Sequence, residues 1–152
     1  MAITLPGWLV EAIRYLGKEF PQTNEDTLFQ WAGQLRSMSG TFDQANASLA
    51  AAVSHLQSHN EGPGIDAFVV QANGQDADMA TLDRFGEGCE VAAQGCEICA
   101  YAVVTLKGVV LFQLALLAPA LAAGPVSFLL KRGVEYAIDK AVEVAIAKIL
   151  EA

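Results

Sequence analysis

The sequence is poor in charge, in cysteine and in anything that reads as a β-strand. Charged residues are 17% of the 152, below the quarter or so of an ordinary globular chain. The balance is acidic, net -8, and no cluster of four or more Lys and Arg occurs. An acidic chain repels phosphate backbones and finds no grip on anionic lipid heads, so no nucleic-acid partner is expected. Cys89, Cys96 and Cys99 are an odd number in one short segment, which excludes a secreted disulfide framework and fits folding in a reducing cytoplasm. No stretch alternates over a useful length, and Asn73-Gly74 joins no pair of alternating runs, lying instead within a helical pattern. Without strands there is no strand–loop–helix phosphate cradle. The opening Met1-Ala2-Ile3-Thr4-Leu5-Pro6 has no basic region, apolar core or cleavage site of an ordinary cleaved signal.

Catalytic chemistry is missing too. The acid pairs Asp76/Asp78 and Glu87/Glu90 have no neighbouring histidine or nucleophile and read as a solvated face. Cys96-Glu97-Ile98-Cys99 with Cys89 lacks a second Cys or His pair nearby. Cys89 and Cys96 fall where a helical seam wants small apolar residues, so packed thiols are expected and no metal. His55 and His59, one turn apart, could form half a metal site but read as solvated helix-end residues. No cofactor is expected, and no enzyme.

What the chain has is apolar helix. Apolar types make up 53%, and 152 residues suit one domain with a real core. Breaks at Pro21, Glu61-Gly62-Pro63-Gly64, Pro119 and Gly124-Pro125 divide the chain into about five helical pieces. The first spans about Pro6 to Glu19. The second, about Asn24 to Asn60, opens on Thr23 as N-cap with Glu25 and Asp26 in its first turn. Within it Leu28, Leu35, Phe42, Leu49 and Leu56 recur every seven residues, and Trp31, Met38, Ala45 and Ala52 follow three residues after the first four. This is an a/d seam over four heptads. A third piece, about Ile65 to Leu106, repeats the scheme with Ile65/Phe68, Ala72/Gln75, Met79/Leu82, Gly86/Cys89, Ala93/Cys96 and Ala100/Val103. The short connection makes the two long pieces antiparallel. The expected fold is therefore all-α, a single helical domain over 1–152. It is a bundle built on a long antiparallel hairpin (N-terminal helices over about 5–60, the second hairpin helix over 63–106), with two apolar C-terminal helices forming a hairpin over 107–152.

The interaction seam expected from this pattern comprises Leu28, Trp31, Leu35, Met38, Phe42, Leu49 and Leu56 on one helix and Ile65, Phe68, Met79 and Leu82 on the other. Gly108 to Leu130 runs 23 residues without a formal charge, enough to span a bilayer, but Gln113, Pro119 and Gly124-Pro125 interrupt it. Two readings stand: an apolar hairpin buried under the long helices, or one inserted in lipid through Leu111, Phe112, Leu114, Leu116, Leu117 and Leu121. The last piece, about Pro125 to Leu150, carries one polar stripe, Arg132, Glu135, Asp139 and Glu143, and is apolar enough to need cover on most sides. It ends inside a helical pattern at Ala152, as a domain cut from something longer would.

Pro6-x-Trp8-Leu9-Val10, Phe20-Pro21-x-x-Asn24-Glu25-Asp26-x-Leu28, Ala32 before Leu35 and the Ala-rich heptad helix together carry a resemblance. The chain resembles the Trp-x-Gly-like N-terminal domain of actinobacterial polymorphic toxins, one member of which heads a mycobacterial channel protein with a C-terminal necrotizing toxin. The resemblance implies a helical hairpin or bundle that folds in the cytoplasm and is secreted by a type VII system without a cleaved signal peptide. It further implies pairing with a small helical secretion partner or self-association, and direction of a C-terminal toxin domain outwards. Trp31-Ala32-Gly33 spells the Trp-x-Gly motif, though in a heptad helix rather than in the turn it forms in small secreted relatives. Tyr15-Leu16-Gly17-Lys18-Glu19 matches the Tyr-x-x-x-Asp/Glu export signal, in the first helix rather than after the hairpin. Tyr15, Glu19, Trp31 and Gly33 are thus the candidate secretion signal. The alternative function is a membrane-inserting or pore-forming helical module using residues 108–150.

Overall fold

A computed structural model describes residues 1–152. It is all-α, with no strand. A short 3-10 turn at Gly7–Leu9 leads into α1, Val10–Leu16; α2 is Glu25–His59, α3 Pro63–Ala72, α4 Asp78–Ala123 and α5 Phe128–Glu151.

Local chemistry sets the ends. α1 stops because Gly17 takes the left-handed conformation at φ 65°, its N–H donating to the Arg14 carbonyl while Lys18 N donates to Ile13. The cap of α2 is Asn24 rather than Thr23: its Oδ1 accepts from Thr27 N at 3.2 Å, and Glu25 and Asp26 follow at the electropositive end. α5 begins at Phe128, not Pro125, because Ser127 Oγ accepts from Leu130 N at 3.1 Å.

Residues 63–106, expected as one helix, are not one. α3 ends at Ala72: Asn73 N and its side chain both donate to the Val69 carbonyl, and Gly74 N then turns to the Gln71 carbonyl at 3.2 Å instead of continuing the helical ladder. A turn through Gly74 follows, tied to α4 by Arg84 Nη2 on the Gln75 carbonyl. Nor does a helix start at 107. α4 runs unbroken to Ala123, past Gly108 and through Pro119. Its heptad register explains why. The buried and half-buried positions Met79, Leu82, Gly86, Cys89, Ala93, Cys96, Ala100 and Val103 continue in step as Lys107, Val110, Leu114, Leu117 and Leu121. Residues 107–123 are the C-terminal part of α4, so α5 is the one separate apolar helix after it. Pro119 removes only one helical bond near the helix end.

The chain divides into two compact units, Met1–Gln30 with Gly95–Ala152, and Trp31–Gln94. In the first, Leu9, Ala12, Ile13, Leu16 and Phe20 pack with Val110, Leu114 and Leu117 of α4 and Val134 and Ile138 of α5. Phe29 meets Tyr101 edge to face at 5.1 Å between centroids. In the second, α2 and α4 run antiparallel. Arg36 pairs with Glu90 at 3.2 Å, Ser39 Oγ donates to the Gly86 carbonyl at 2.9 Å, and Phe42 stacks on Phe85 at 5.8 Å. Gly86 allows the close approach: a Cβ there would stand 3.3 Å from Asp43 Oδ1 and 3.7 Å from Phe42 Cβ.

The first unit contains the chain's two buried charges. Lys107 Nζ lies 2.6 Å from Glu25 Oε2, both side chains 3% exposed. Lys107 also donates to the Ile3 carbonyl at 3.0 Å, and Ile3 N donates to Glu25 Oε1, so the N-terminal segment is held at one residue by both charges. Burial pushes the Glu25 carboxyl up, but the Lys107 ammonium and the Ile3 N–H outweigh it and hold it below the usual carboxylate range.

Candidate functional site

An a/d seam presents both columns to one neighbour only when that neighbour lies between them. In α2 it does not. Leu28, Leu35, Phe42 and Leu49 are half-buried, and the most buried positions lie on their far side: Ala32 at 1% exposure and Val53, with Ser39 and Asn46 between them. The other column faces out. Trp31 is 53% exposed and Met38 48%, and Ala45 and Ala52 continue the open stripe. α2 therefore packs on α4 through positions 28, 35, 42 and 49 and their neighbours one turn on, while 31, 38, 45 and 52 form an apolar stripe its own unit does not cover. Sequence pattern alone missed this split, because Ser39 and Asn46 broke the second column. The signal was Ala32 and Val53, which keep the seven-residue spacing with them.

Of the remaining seam residues, Ile65, Met79 and Leu82 are half-buried and Leu56 and Phe68 exposed. Phe68 and Met79, with Leu49, Val53 and Ala72, line an open cavity of about 580 Å³ beneath the turn between α3 and α4. Trp31-Ala32-Gly33 lies within α2: Ala32 points inward, Trp31 outward, and the space where a Gly33 Cβ would stand is open. Tyr15 and Glu19 fall on either side of the Gly17 cap, so they do not share a helical face. Tyr15 is partly covered by the Lys131 ammonium, 4.9 Å from its ring centroid.

The uncharged stretch is divided lengthwise. α4 includes a window long and apolar enough to cross a membrane, mean hydropathy 1.9, of which 39% is buried. Leu114 and Leu117 are at 0% exposure, Leu111 and Leu121 are half-buried, and Phe112 and Leu116 lie open at 62% and 50%. α5, expected to need cover on most sides, buries only Val134, Ile138 and Ala145, leaving Phe128, Leu129, Tyr136, Val144 and Ile146 exposed. Between α4 and α5, Ala102, Leu106, Val109, Ala137, Ala141 and Val144 line a groove of about 290 Å³. Cys89, Cys96 and Cys99 are half-buried free thiols, and no three His, Cys, Asp or Glu side chains gather into a metal-sized group.

The chain is thus an all-α protein built on an antiparallel pair of long helices, one of which carries an uncovered apolar stripe. The family described as WXG100 like domain matches residues 2–148, and the chain belongs to that family. Its members are typically non-enzymatic, helical proteins secreted by type VII systems, which self-associate or pair with helical partners. No curated protein and no solved structure matches the chain.

Proposed function

We propose that this chain is a non-catalytic secretion-targeting and helix–helix interaction domain, the N-terminal part of a type VII-secreted polymorphic toxin. The observation that carries the reading is the stripe of Trp31, Met38, Ala45 and Ala52, apolar, in heptad register and uncovered, in a WXG100-like chain. A small helical partner or a second copy would lay its own apolar stripe there, with Trp31 as the anchor, since buried aromatics dominate such interfaces. The test fuses a reporter to the C-terminus in a host with a type VII system. The parent is exported; Trp31→Ala with Met38→Ala keeps its far-UV circular dichroism but loses export and co-purification of a helical partner. Undiminished export of that variant refutes the reading. Tyr15→Ala in the same assay decides whether the Tyr15–Glu19 pattern is the signal or whether a partner supplies one.

A second reading rests on the open apolar side chains of the first unit, Phe112, Leu116, Phe128 and Leu129. In it, residues 108–150 leave the core and insert in lipid. Dye-loaded liposomes test it: leakage at neutral or acidic pH supports insertion, and intact vesicles at both remove it.

A further inference from the structure

The chain's two histidines, His55 and His59, lie on the last turn of α2, both exposed. They are one helical turn apart on the same face, with ring centroids 4.1 Å apart and planes inclined by 34°. The His59 ring is held in place. Its Nδ1 lies 2.9 Å from the His55 carbonyl oxygen and 2.9 Å from Ser58 Oγ, and the Ser58 hydroxyl donates to that same carbonyl at 2.9 Å. A carbonyl oxygen only accepts, so His59 Nδ1 carries the proton and the neutral ring keeps its lone pair on Nε2. That is the tautomer of a metal-bound imidazole whose second nitrogen is anchored on a backbone carbonyl.

We propose that His55 and His59 form a two-imidazole site for a divalent transition-metal ion of the zinc or nickel class. Imidazole nitrogen suits these ions, whereas calcium and magnesium seek oxygen. The helix sets both rings on one face, packed at 4.1 Å, and rotation of the exposed His55 ring out of that contact brings one of its nitrogens beside His59 Nε2. No third His, Cys, Asp or Glu side chain joins them, so water fills the other positions and the site is open. Bound there, the ion clips together the last turn of α2, the part of a helix most prone to fraying.

The half-buried thiols Cys89, Cys96 and Cys99 are the competing ligands, and the experiment separates them. Ni2+ is titrated into the full chain while heat and the histidine ring C2 proton resonances are followed. One ion per chain is expected, with both histidine resonances moving together and EDTA restoring them. H55Q and H59Q each weaken binding at least about tenfold, since loss of even a second-shell partner costs about 10–100-fold. Both positions are exposed, so the variants keep the parent's circular dichroism. Unchanged affinity in the H55Q/H59Q double variant assigns the ion to the thiols and overturns the proposal. So do histidine resonances that stay still at millimolar Ni2+.

Discussion

Lys107→Met removes an ammonium from the interior while keeping most of the side chain's length. Two bonds go with it, to Glu25 Oε2 at 2.6 Å and to the Ile3 carbonyl at 3.0 Å. The Glu25 carboxylate stays behind, 3% exposed, with the Ile3 N–H as its remaining polar neighbour from the N-terminal segment. Breaking a buried pair from one side costs about 3–5 kcal/mol, against at most about 1 kcal/mol for an exposed pair. With a urea slope of about 2 kcal/mol/M, the unfolding midpoint falls by roughly 1.5–2.5 M. The pH dependence reverses as well. In the parent the folded carboxyl lies below its unfolded value of about 4.3, so its contribution is complete above that pH and is lost as pH falls through the folded value. In Lys107→Met, burial pushes the carboxyl above the unfolded value, and stability improves as pH falls toward it. The assay is urea unfolding followed by far-UV circular dichroism at pH 7, 5.5 and 4.5. A loss under about 1 kcal/mol at pH 7, or a variant whose stability does not rise from pH 7 to 4.5, a range over which the Glu25 contribution in the parent is nearly constant, would refute the reasoning, because the pair would then behave as a solvated one.

Leu117→Ala empties a fully buried site in the first unit and is expected to cost about 2–5 kcal/mol, while Leu116→Ala, half exposed one position away, stays within about 0.5 kcal/mol; thermal unfolding of the two separates a packed face from a lipid-facing one. Gly86→Leu forces a side chain against Phe42 and Asp43 and costs about 1–3 kcal/mol, whereas Gly88→Ala meets open space and gains up to about 1 kcal/mol of helix propensity, both read from the same melts. Trp31→Ala changes chemical stability by about 0.5 kcal/mol or less, because half the ring is already in water, and any larger loss would place Trp31 in the fold rather than on its surface.

The all-α class and the antiparallel pairing of the two long helices were legible because heptad spacing survives any detail of loops or caps. Two things were not. Asn73-Gly74 looked like part of a helix because apolar residues on both sides keep a plausible period, and the helix ends there in a tighter turn, Gly74 N donating to the Gln71 carbonyl. Lys107 looked like a boundary because a charge beside a long uncharged run reads as an edge. It occupies the next seam position after Ala100 and Val103, and its charge is affordable there because Glu25 arrives from 82 positions earlier in the chain. No local pattern reports a pairing of that span. For the candidate site, the residues of the α2 stripe were visible as types, but which column faces its own partner helix depends on packing that spacing does not encode.

That division of α2 into two columns separates what the helix can change from what it must keep. Substitutions at Ala32, Leu35, Phe42, Leu49 or Val53 are felt at once in the packing on α4. Substitutions at 31, 38, 45 and 52 leave that packing alone. A lineage carrying this helix can redraw its outward stripe step by step, large for small or aromatic for aliphatic, with the folded state untouched at each step. On the function proposed above, stability and recognition are thus inherited through different letters of the same seven-residue repeat.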